Sequence, residues 1–262
     1  MMAPDPLINS RSIGQTDTGR VRANNQDAIL VDEAAGLWLV ADGMGGHAGG
    51  AEASRMARTT VREALKEGSS LRSAILAAHV AIRAEQTVRP ELTDMGTTVV
   101  ALLEQGDEYE IGWVGDSRAY LFDTTSQVLT LLTRDHNLAG LMVEAGTISA
   151  SEAAHHPKRH VLTDCLGLHS EGDPRIDRIR GRWRAGQVLL LCSDGLSGEL
   201  SDQAMAEILG QDQSLDVIGE RLMSMAMDAG ARDNVSLILV RSPLDGKSAP
   251  SSSRWMRWLG RA

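Results

Sequence analysis

Four segments with the residue types of β-strands follow one another between residues 97 and 133, with only short turns between them. They cover residues 97–104, 108–114, 118–123 and 128–133. Two neighbouring parallel strands need a crossover connection of a dozen or more residues, and these turns are far shorter. The segments therefore predict an antiparallel meander.

Segments on either side complete a predicted domain over residues 11–241. Strand-like runs cover residues 11–17, 28–32, 37–41, 187–192 and 234–241, and helical periodicity covers residues 51–66, 70–88, 137–145, 201–209 and 215–229. Residues 146–173 are irregular and polar and hold four of the seven histidines. An excursion of this length inside a domain is usually functional or mobile.

The two ends of the chain differ in composition from this domain. Residues 1–10 predict a flexible N-terminal arm, and residues 242–262, rich in Ser, Pro and Gly, predict a flexible C-terminal tail. The basic and aromatic run at residues 254–261 suits contact with a partner or a membrane surface, and it equally suits a frayed end.

Composition argues against several classes of protein. The formal net charge of −9 disfavours wrapping of a nucleic-acid backbone, which needs a surplus of Lys and Arg. Cys165 and Cys192 are the only cysteines, and they predict reduced, buried thiols in a cytoplasmic protein. The first ten residues lack a signal-peptide pattern, and no apolar run reaches the ~18 residues that suggest a membrane span.

Five aspartates stand where an apolar strand-like run meets a turn. They are Asp27, Asp42, Asp116, Asp194 and Asp233. One such aspartate is most often a turn residue, but their recurrence predicts that strand ends gather several carboxylates at one edge of a sheet. Carboxylates that approach one another repel unless cations neutralise them, and an oxygen-only set favours Mg²⁺ or Mn²⁺ over zinc.

This set of residues indicates chemistry on a phosphoryl group. Two such ions held ~3.5–4 Å apart activate a bridging water and stabilise a phosphoryl group under in-line attack. Arg22 adds a guanidinium, which can donate hydrogen bonds to two phosphate oxygens at once and does so better than an ammonium group.

The glycine-rich turn after Asp42 allows a second interpretation. The loose G-x-G-x-x-G/A fingerprint of dinucleotide-binding domains is matched by Gly43-Met-Gly-Gly-His-Ala48. That fingerprint needs a second parallel strand with an acid near its end about 20 residues on. Here Glu63 lies inside a helical pattern, and the later strands lack crossover helices, so this interpretation is disfavoured.

A series of short motifs between residues 19 and 234 carries a family resemblance. They read Gly19-x-x-Arg22-x-x-Asn25-Gln26-Asp27, Val40-Ala-Asp42-Gly-Met-Gly-Gly-His47, Met95-Gly-Thr-Thr98, Val114-Gly-Asp116-Ser-Arg-Ala-Tyr120, Leu132-Thr-Arg-Asp-His136, His160-Val-Leu-Thr163, Cys192-Ser-Asp194-Gly-Leu196 and Arg232-Asp233-Asn234. In this order they resemble the bacterial form of the metal-dependent PPM/PP2C protein serine/threonine phosphatases. The resemblance covers residues 11–241, nearly all of the chain outside the tail.

The resemblance implies a fold and a set of metal ligands. The implied fold belongs to the α+β class and is a four-layer α-β-β-α sandwich, in which two antiparallel sheets are flanked by helix pairs. Asp42 would bridge two Mn²⁺ or Mg²⁺ ions, Asp194 and Asp233 would complete the first metal site, and the Gly43 carbonyl would serve the second. Asp116, with Asp194, would hold a third, weaker metal.

The remaining roles also come from the resemblance. Gln26 and Asp27 would act on the metals through bound waters, and Arg22 would bind the substrate phosphate. Residues 137–173 would form the flap segment beside the site. The implied reaction is hydrolysis of phosphoserine and phosphothreonine in proteins by direct attack of a metal-bridging hydroxide. The implied setting is a cytoplasmic monomer that opposes a bacterial Ser/Thr kinase.

Two positions depart from the family pattern. Met44 stands where some members have a histidine that is proposed to protonate the leaving group, and the nearby His47 is predicted to be structural. Gln26 replaces a frequent glutamate and carries no charge. The alternative to an enzyme is an inactive phosphatase-like module that binds phosphoproteins. Its usual mark would be a lost metal aspartate, and Asp42 and the other candidate metal aspartates are present.

Overall fold

A computed structural model describes residues 11–46, 49–153, 155–167 and 172–244. The predicted N-terminal arm, residues 245–262 of the predicted tail, His47 and His169 lie outside the described residues. Among the residues described, no helix combines the length and the apolar character that crossing a bilayer requires.

The described chain contains eleven strands and seven α-helices. The strands are β1 (Ser12–Asp17), β2 (Asp27–Asp32), β3 (Leu37–Met44), β4 (Gly96–Thr97), β5 (Val99–Gln105), β6 (Glu108–Val114), β7 (Arg118–Asp123), β8 (Val128–Leu131), β9 (Asp177–Arg182), β10 (Gln187–Cys192) and β11 (Val235–Arg241). The helices are α1 (Gly49–Lys66), α2 (Leu71–Val88), α3 (Leu138–Glu144), α4 (Ala150–Ala153), α5 (Asp194–Ser197), α6 (Asp202–Leu209) and α7 (Leu215–Ala229). Most of them agree with the sequence patterns to within a few residues.

The strands form two antiparallel sheets. Sheet A has the order β1-β11-β10-β7-β8, and sheet B has the order β2-β3-β5-β6-β9, with the short β4 paired to the end of β3. Every strand pairing in both sheets is antiparallel.

The prediction of one continuous meander over residues 97–133 is wrong. Strands β5 and β6 form a hairpin in sheet B, whereas β7 and β8 form a hairpin in sheet A. The chain therefore passes from one sheet to the other at residues 115–117. Gly115 permits this sharp passage because its φ of 101° lies in the left-handed region. The turn leaves Asp116 at the edge where the two sheets meet.

Strand β9 and the short helices α4 and α5 were not predicted from the sequence. Strand β9 is the outer strand of sheet B, and its sequence Asp-Arg-Ile-Arg-Gly-Arg is too polar to indicate a strand. It is stabilised by charge pairs across to β6, in which Arg180 binds Glu110 and Arg182 binds Glu108. The short helix α4 lies inside the segment that was predicted to be irregular.

Side-chain alternation along β3 shows how four layers arise. Leu39 and Ala41 pack against α1 and α2, whereas Trp38 and Val40 pack into the layer between the two sheets. Strands β10 and β11 divide their side chains in the same way, between the inter-sheet layer and the face covered by α6 and α7. Strands buried on both faces read as continuous apolar runs. The predicted α+β, four-layer α-β-β-α sandwich is confirmed.

Candidate metal centre

The five predicted aspartates come together at one end of the two sheets. Asp42 lies near the end of β3, and Asp27 lies directly opposite it at the start of β2. Asp116 lies in the β6–β7 connection, Asp194 follows β10 as the first residue of α5, and Asp233 precedes β11. Both sheets therefore contribute carboxylates to one place.

A cavity of about 370 Å³ opens at this place. It is lined by Arg22, Gln26, Asp42, Gly43, Met44, Gly45, Thr98, Asp116, His160, Leu162, Asp194 and Asp233. Seven of the eight predicted site residues are among these, and Asp27 lies behind Asp42 in the neighbouring strand.

The direction of the Asp42 side chain follows from its position in β3. Side chains alternate along a strand, so Asp42 lies on the same face as Trp38 and Val40, which pack between the sheets. Gly43 lies on the opposite face, against the start of α1. A Cβ atom on Gly43 would overlap the carbonyl oxygens of Gly50 and Gln26, so this close contact requires glycine.

Asp27 is held by hydrogen bonds from the opposite sheet. Its Oδ2 accepts hydrogen bonds from Ser193 Oγ at 2.9 Å and Ser236 Oγ at 2.6 Å, both from sheet A. Its Oδ1 is buried and has no hydrogen-bond partner among the described residues. Burial raises the pKa of Asp27 to about 6, although the two serine hydrogen bonds oppose the rise.

Asp42 and Asp116 are likewise held in conditions that disfavour their charge. Burial raises the pKa of Asp42 well above its usual value, and repulsion from Asp27, Asp194, Asp116 and Asp233 adds to the rise. Burial and then the charge on Asp194 raise the pKa of Asp116 in the same direction. Carboxylates under such repulsion are the groups that a bound cation stabilises.

The donor set fits hard divalent cations better than zinc. The cavity offers carboxylate, carbonyl and amide oxygens and one imidazole, with no thiol. Among the described residues, no three His, Cys, Asp or Glu side chains are already arranged around a single point as a complete metal site. Mg²⁺-type ions keep several waters and use few protein ligands, so an incomplete side-chain set is compatible with them.

Arg22 lies at the rim of the cavity and is paired with one of the acids. Its Nη2 donates a hydrogen bond to Asp233 Oδ2 at 2.7 Å, and the guanidinium side chain is 53% exposed. The hydrogen bond and the negative charge of Asp233 raise the pKa of Arg22. The arginine is therefore charged, open to solvent and close to the carboxylates.

Asn234 positions the loop that carries Arg22, and the sequence analysis gave it no role of its own. Its Oδ1 accepts a hydrogen bond from the backbone N–H of Gln26 at 2.8 Å. Its Nδ2 donates to the carbonyl oxygens of Thr18 at 2.8 Å and Asn24 at 3.0 Å. The only sequence signal was its place beside Asp233 in a motif. Ser193 and Ser236, which hold Asp27, were missed in the same way.

The remaining candidates near the cavity have distinct places. Gln26 Nε2 lies 3.4 Å from the carbonyl oxygen of Gly45, so the neutral amide bridges two parts of the cavity wall. Of the described histidines in the polar excursion, His160 lines the cavity, and its Nδ1 lies 3.6 Å from Asp194 Oδ2. Met44 lines the cavity and provides no proton.

The fold and the acidic cavity agree with a comparison to known protein families. Residues 16–237 match the family described as Protein phosphatase 2C, and the chain belongs to that family. Among curated relatives, the serine/threonine phosphatase stp of Listeria monocytogenes serotype 4b (strain F2365) is 34% identical over 254 residues. That match covers 91% of this chain and 98% of the relative.

Solved structures of bacterial phosphatases show the same fold. The crystal structure of the Mycobacterium tuberculosis serine/threonine phosphatase PstP/Ppp is similar with a TM-score of 0.78 and 35% identity, over 88% of this chain and 97% of that one. The catalytic domain of PstP in complex with two manganese ions is similar with a TM-score of 0.76 and 33% identity, over 88% and 97% of the two chains.

Proposed function

We propose that this protein is a metal-dependent phosphatase that hydrolyses phosphoserine and phosphothreonine residues of proteins. The observation that carries the proposal is the gathering of carboxylates from both sheets around one cavity, with the charged Arg22 at its rim. Membership of the Protein phosphatase 2C family supports the same reaction.

The cavity residues suit Mn²⁺ or Mg²⁺, of which two would occupy the core site. Asp42 would lie between two ions, with Asp194 and Asp233 on the first and the Gly43 carbonyl on the second. Gln26 and Asp27 would act through water, and the buried, unpartnered Oδ1 of Asp27 is available for that contact among the described residues. Asp116, with Asp194, would hold a third ion. Bound cations of this kind acidify water and neutralise charge on a phosphoryl group.

Arg22 binds the substrate phosphate in this proposal. Its present partner is Asp233, so the two side chains are hydrogen-bonded to each other in the absence of metal and substrate. If Asp233 bound a cation instead, the guanidinium would lose that partner and would be free to bind two phosphate oxygens. Metal binding and phosphate binding would then be coupled through one ion pair.

The leaving oxygen needs a proton that Met44 does not supply. Methionine has no acidic hydrogen, so the family position occupied elsewhere by histidine is inert here. We infer that water in the cavity supplies this proton.

The proposed setting is a cytoplasmic monomer that acts against a bacterial Ser/Thr kinase on phosphorylated proteins. The net charge of −9 suits protein substrates and disfavours nucleic acid. The inactive-module alternative would be marked by loss of a metal aspartate. Asp42, Asp116, Asp194 and Asp233 are all present and line the cavity, which speaks against it.

Hydrolysis of matched phosphopeptides tests the proposal. Peptides carrying phosphoserine, phosphothreonine or phosphotyrosine are incubated with Mn²⁺, with Mg²⁺ and with a chelator. We expect hydrolysis of the first two peptides with metal and none with chelator. Activity that persists in the chelator would contradict the metal mechanism.

Two variants and one control assign the chemistry to the cavity. Asp42→Asn and Asp194→Asn are expected to lower metal-dependent turnover more than about 100-fold, because each removes a carboxylate that holds cations. Asp107→Asn, an exposed acid beyond the far end of β5, should keep full activity. Circular dichroism checks that each variant is folded. Full activity in either cavity variant shows that the metal assignment is wrong.

A further inference from the structure

A second cavity, of about 350 Å³, lies beside the metal centre and shares Met44 with it. We call it the side cavity. It is lined by Met44, Thr93, Asp94, Met95, Gly96, Cys165 and Gly167. Met95 and Cys165 form a buried, apolar floor, whereas Thr93 and Asp94 are exposed at the rim. The side cavity therefore opens to solvent above an apolar base.

Gly96 is a closely packed part of the wall of the side cavity. A Cβ atom built on Gly96 would lie 3.4 Å from both Cys165 Sγ and Met44 Cγ and 3.0 Å from the carbonyl oxygen of Leu166. These contacts are tight, so a larger residue at this position would displace Met44 or Cys165. Glycine therefore keeps these two side chains in place at the wall of the side cavity.

The walls of the side cavity are fixed before any ligand arrives. Gln86, buried in α2, donates from Nε2 to the carbonyl oxygens of Met95 at 2.7 Å and Gly167 at 3.0 Å. Thr97 and Leu166 exchange two backbone hydrogen bonds, at 3.0 and 2.9 Å. These bonds join the two chain segments that form the floor, so the ordering cost of binding is small.

The side cavity lies within reach of a peptide whose phosphate is in the metal centre. Met44 is two residues beyond Asp42 in β3, so the two side chains share a face and are separated by roughly 7 Å along the strand. An extended peptide advances by about 3.3–3.6 Å per residue. A side chain one or two residues from the phosphorylated residue therefore reaches the side cavity.

We propose that the side cavity binds an apolar side chain of the phosphoprotein substrate, one or two residues away from the phosphorylated residue. The inference rests on the proposed function, since it names a part of the substrate of that same site. The apolar floor favours a side chain of the size of leucine or methionine, and the carboxylate of Asp94 at the rim disfavours an acidic one. The side cavity is thereby a specificity site continuous with the metal centre.

A peptide series on the wild-type enzyme tests the preference. Phosphothreonine peptides carry Leu, Ala or Asp at each of the two positions on either side of the phosphothreonine, and kinetics are measured with Mn²⁺. We expect one position at which Leu raises kcat/KM about 10-fold or more over Ala, mainly through KM. Asp at that position should be the poorest substrate.

A rim variant shows whether the preference arises in the side cavity. Thr93→Trp places a large side chain at the rim, whereas Thr93→Ser keeps the hydroxyl that donates to the carbonyl oxygen of Pro90. We expect Thr93→Trp to lower kcat/KM for the Leu peptide to the value for the Ala peptide. Thr93→Ser should behave as wild type. Hydrolysis of p-nitrophenyl phosphate should be unchanged in both variants.

The outcomes separate the side cavity from the reaction itself. Peptide binding is followed in parallel by fluorescence anisotropy in the presence of Mn²⁺. If no peptide is hydrolysed, the proposed phosphatase function is wrong, whatever the affinities of the peptides are. Equal affinity and equal kcat/KM for Leu and Ala peptides at all four positions overturn the side cavity as a specificity site. If Thr93→Trp lowers kcat/KM equally for the Leu and Ala peptides, the side cavity is likewise not a specificity site.

Discussion

Arg22 and Asp233, two residues of the proposed site, bind each other in one ion pair. The guanidinium that suits a phosphate is bonded to a carboxylate that suits a cation, at 2.7 Å. Neither partner is deeply buried, so the pair is expected to exchange readily for stronger partners. A substitution at position 22 should therefore weaken the binding of substrate more than the binding of the metals.

Arg22→Ala is expected to lower kcat/KM for a phosphothreonine peptide by about 10- to 100-fold, chiefly through KM, because a charged hydrogen bond to phosphate is lost. Arg20→Ala is the matched control, since Arg20 lies in the same loop and donates instead to the carbonyl oxygen of Met227. Steady-state kinetics at saturating Mn²⁺ measure both. An unchanged KM in Arg22→Ala contradicts its role at the phosphate.

The raised pKa of Asp27 predicts how the metal-free protein responds to pH. The pKa is about 6 in the folded protein, against an ordinary value of 3.8. Between these values the folded state holds a proton that the unfolded state has released, so this carboxyl contributes stability that is lost as pH rises through about 6. His79 and His136 act in the opposite direction, because burial lowers their pKa.

A comparison with Asp27→Asn tests the contribution of this carboxyl, which includes its repulsion of Asp42. Urea unfolding in the presence of a chelator should show the variant gaining stability relative to wild type as pH is raised from 5 to 7. The histidines are common to both proteins and cancel in the difference. A difference that stays constant over this range would show that Asp27 does not take up a proton in the folded state.

The residues of the site were predictable to different degrees. Asp42 and Asp194 were found from the sequence because each follows an apolar run that signals a strand end. Ser193, Ser236 and Asn234 were not assigned roles, because their hydrogen bonds to Asp27 and to the loop of Arg22 depend on which strand lies opposite. The local sequence pattern around a residue does not show which strand lies opposite it.

At the scale of elements, the contact between β3 and α1 depends on a pair of glycines. A Cβ on Gly50 would lie 2.8 Å from both the carbonyl carbon and the carbonyl oxygen of Gly43, and 2.9 Å from Cδ of Gln26. Such distances force the start of α1 away from the end of β3. The carbonyl of Gly43 is the proposed ligand of the second metal, so stability and metal binding are linked here.

Gly50→Ala is therefore expected to destabilise the fold by about 1–3 kcal/mol through overpacking, although alanine is the better helix former. Mn²⁺ affinity should fall in parallel by about 10- to 100-fold. Gly46→Ala is the control, because no atom of the residues that the structure describes lies within 4 Å of a Cβ at that position. Urea unfolding and a Mn²⁺ titration measure the two effects. Equal behaviour of the two variants contradicts the proposed contact.

The order of the strands was less predictable than their existence. Short turns between strand-like runs correctly indicated antiparallel neighbours for β5–β6 and β7–β8, but the same short connection leads from β6 across to the other sheet. The turn at Gly115 has no local feature that distinguishes a hairpin from a crossing. Strand β9 was missed because its arginines pair with glutamates of β6, which are distant in sequence.

At the scale of the whole molecule, the proposed metal centre lies where the two sheets meet. Asp42 comes from sheet B, whereas Asp194 and Asp233 flank strands of sheet A. Cations held by all three acids would connect the sheets and offset the repulsion between the carboxylates. Metal binding should therefore stabilise the entire fold, since the unfolded chain has no such arrangement.

Thermal unfolding tests this connection without any substrate. At about 100 times the dissociation constant, Mn²⁺ should add about 2.7 kcal/mol of stability. For a domain of this size that corresponds to an increase in Tm of about 5–10 °C. Asp42→Asn should lose most of the increase, and Asp107→Asn should keep it. A shift of the same size in Asp42→Asn would contradict a site shared between the sheets.

The ion pair between Arg22 and Asp233 joins positions 211 residues apart in the chain. During synthesis, the first of these residues leaves the ribosome long before the second, and contacts of such high sequence separation form late in folding. A partly made chain therefore carries Arg22 without Asp233 and lacks the complete set of acids. We expect no phosphatase activity until almost the whole domain has been translated and folded, so that an unfinished chain does not act on phosphoproteins.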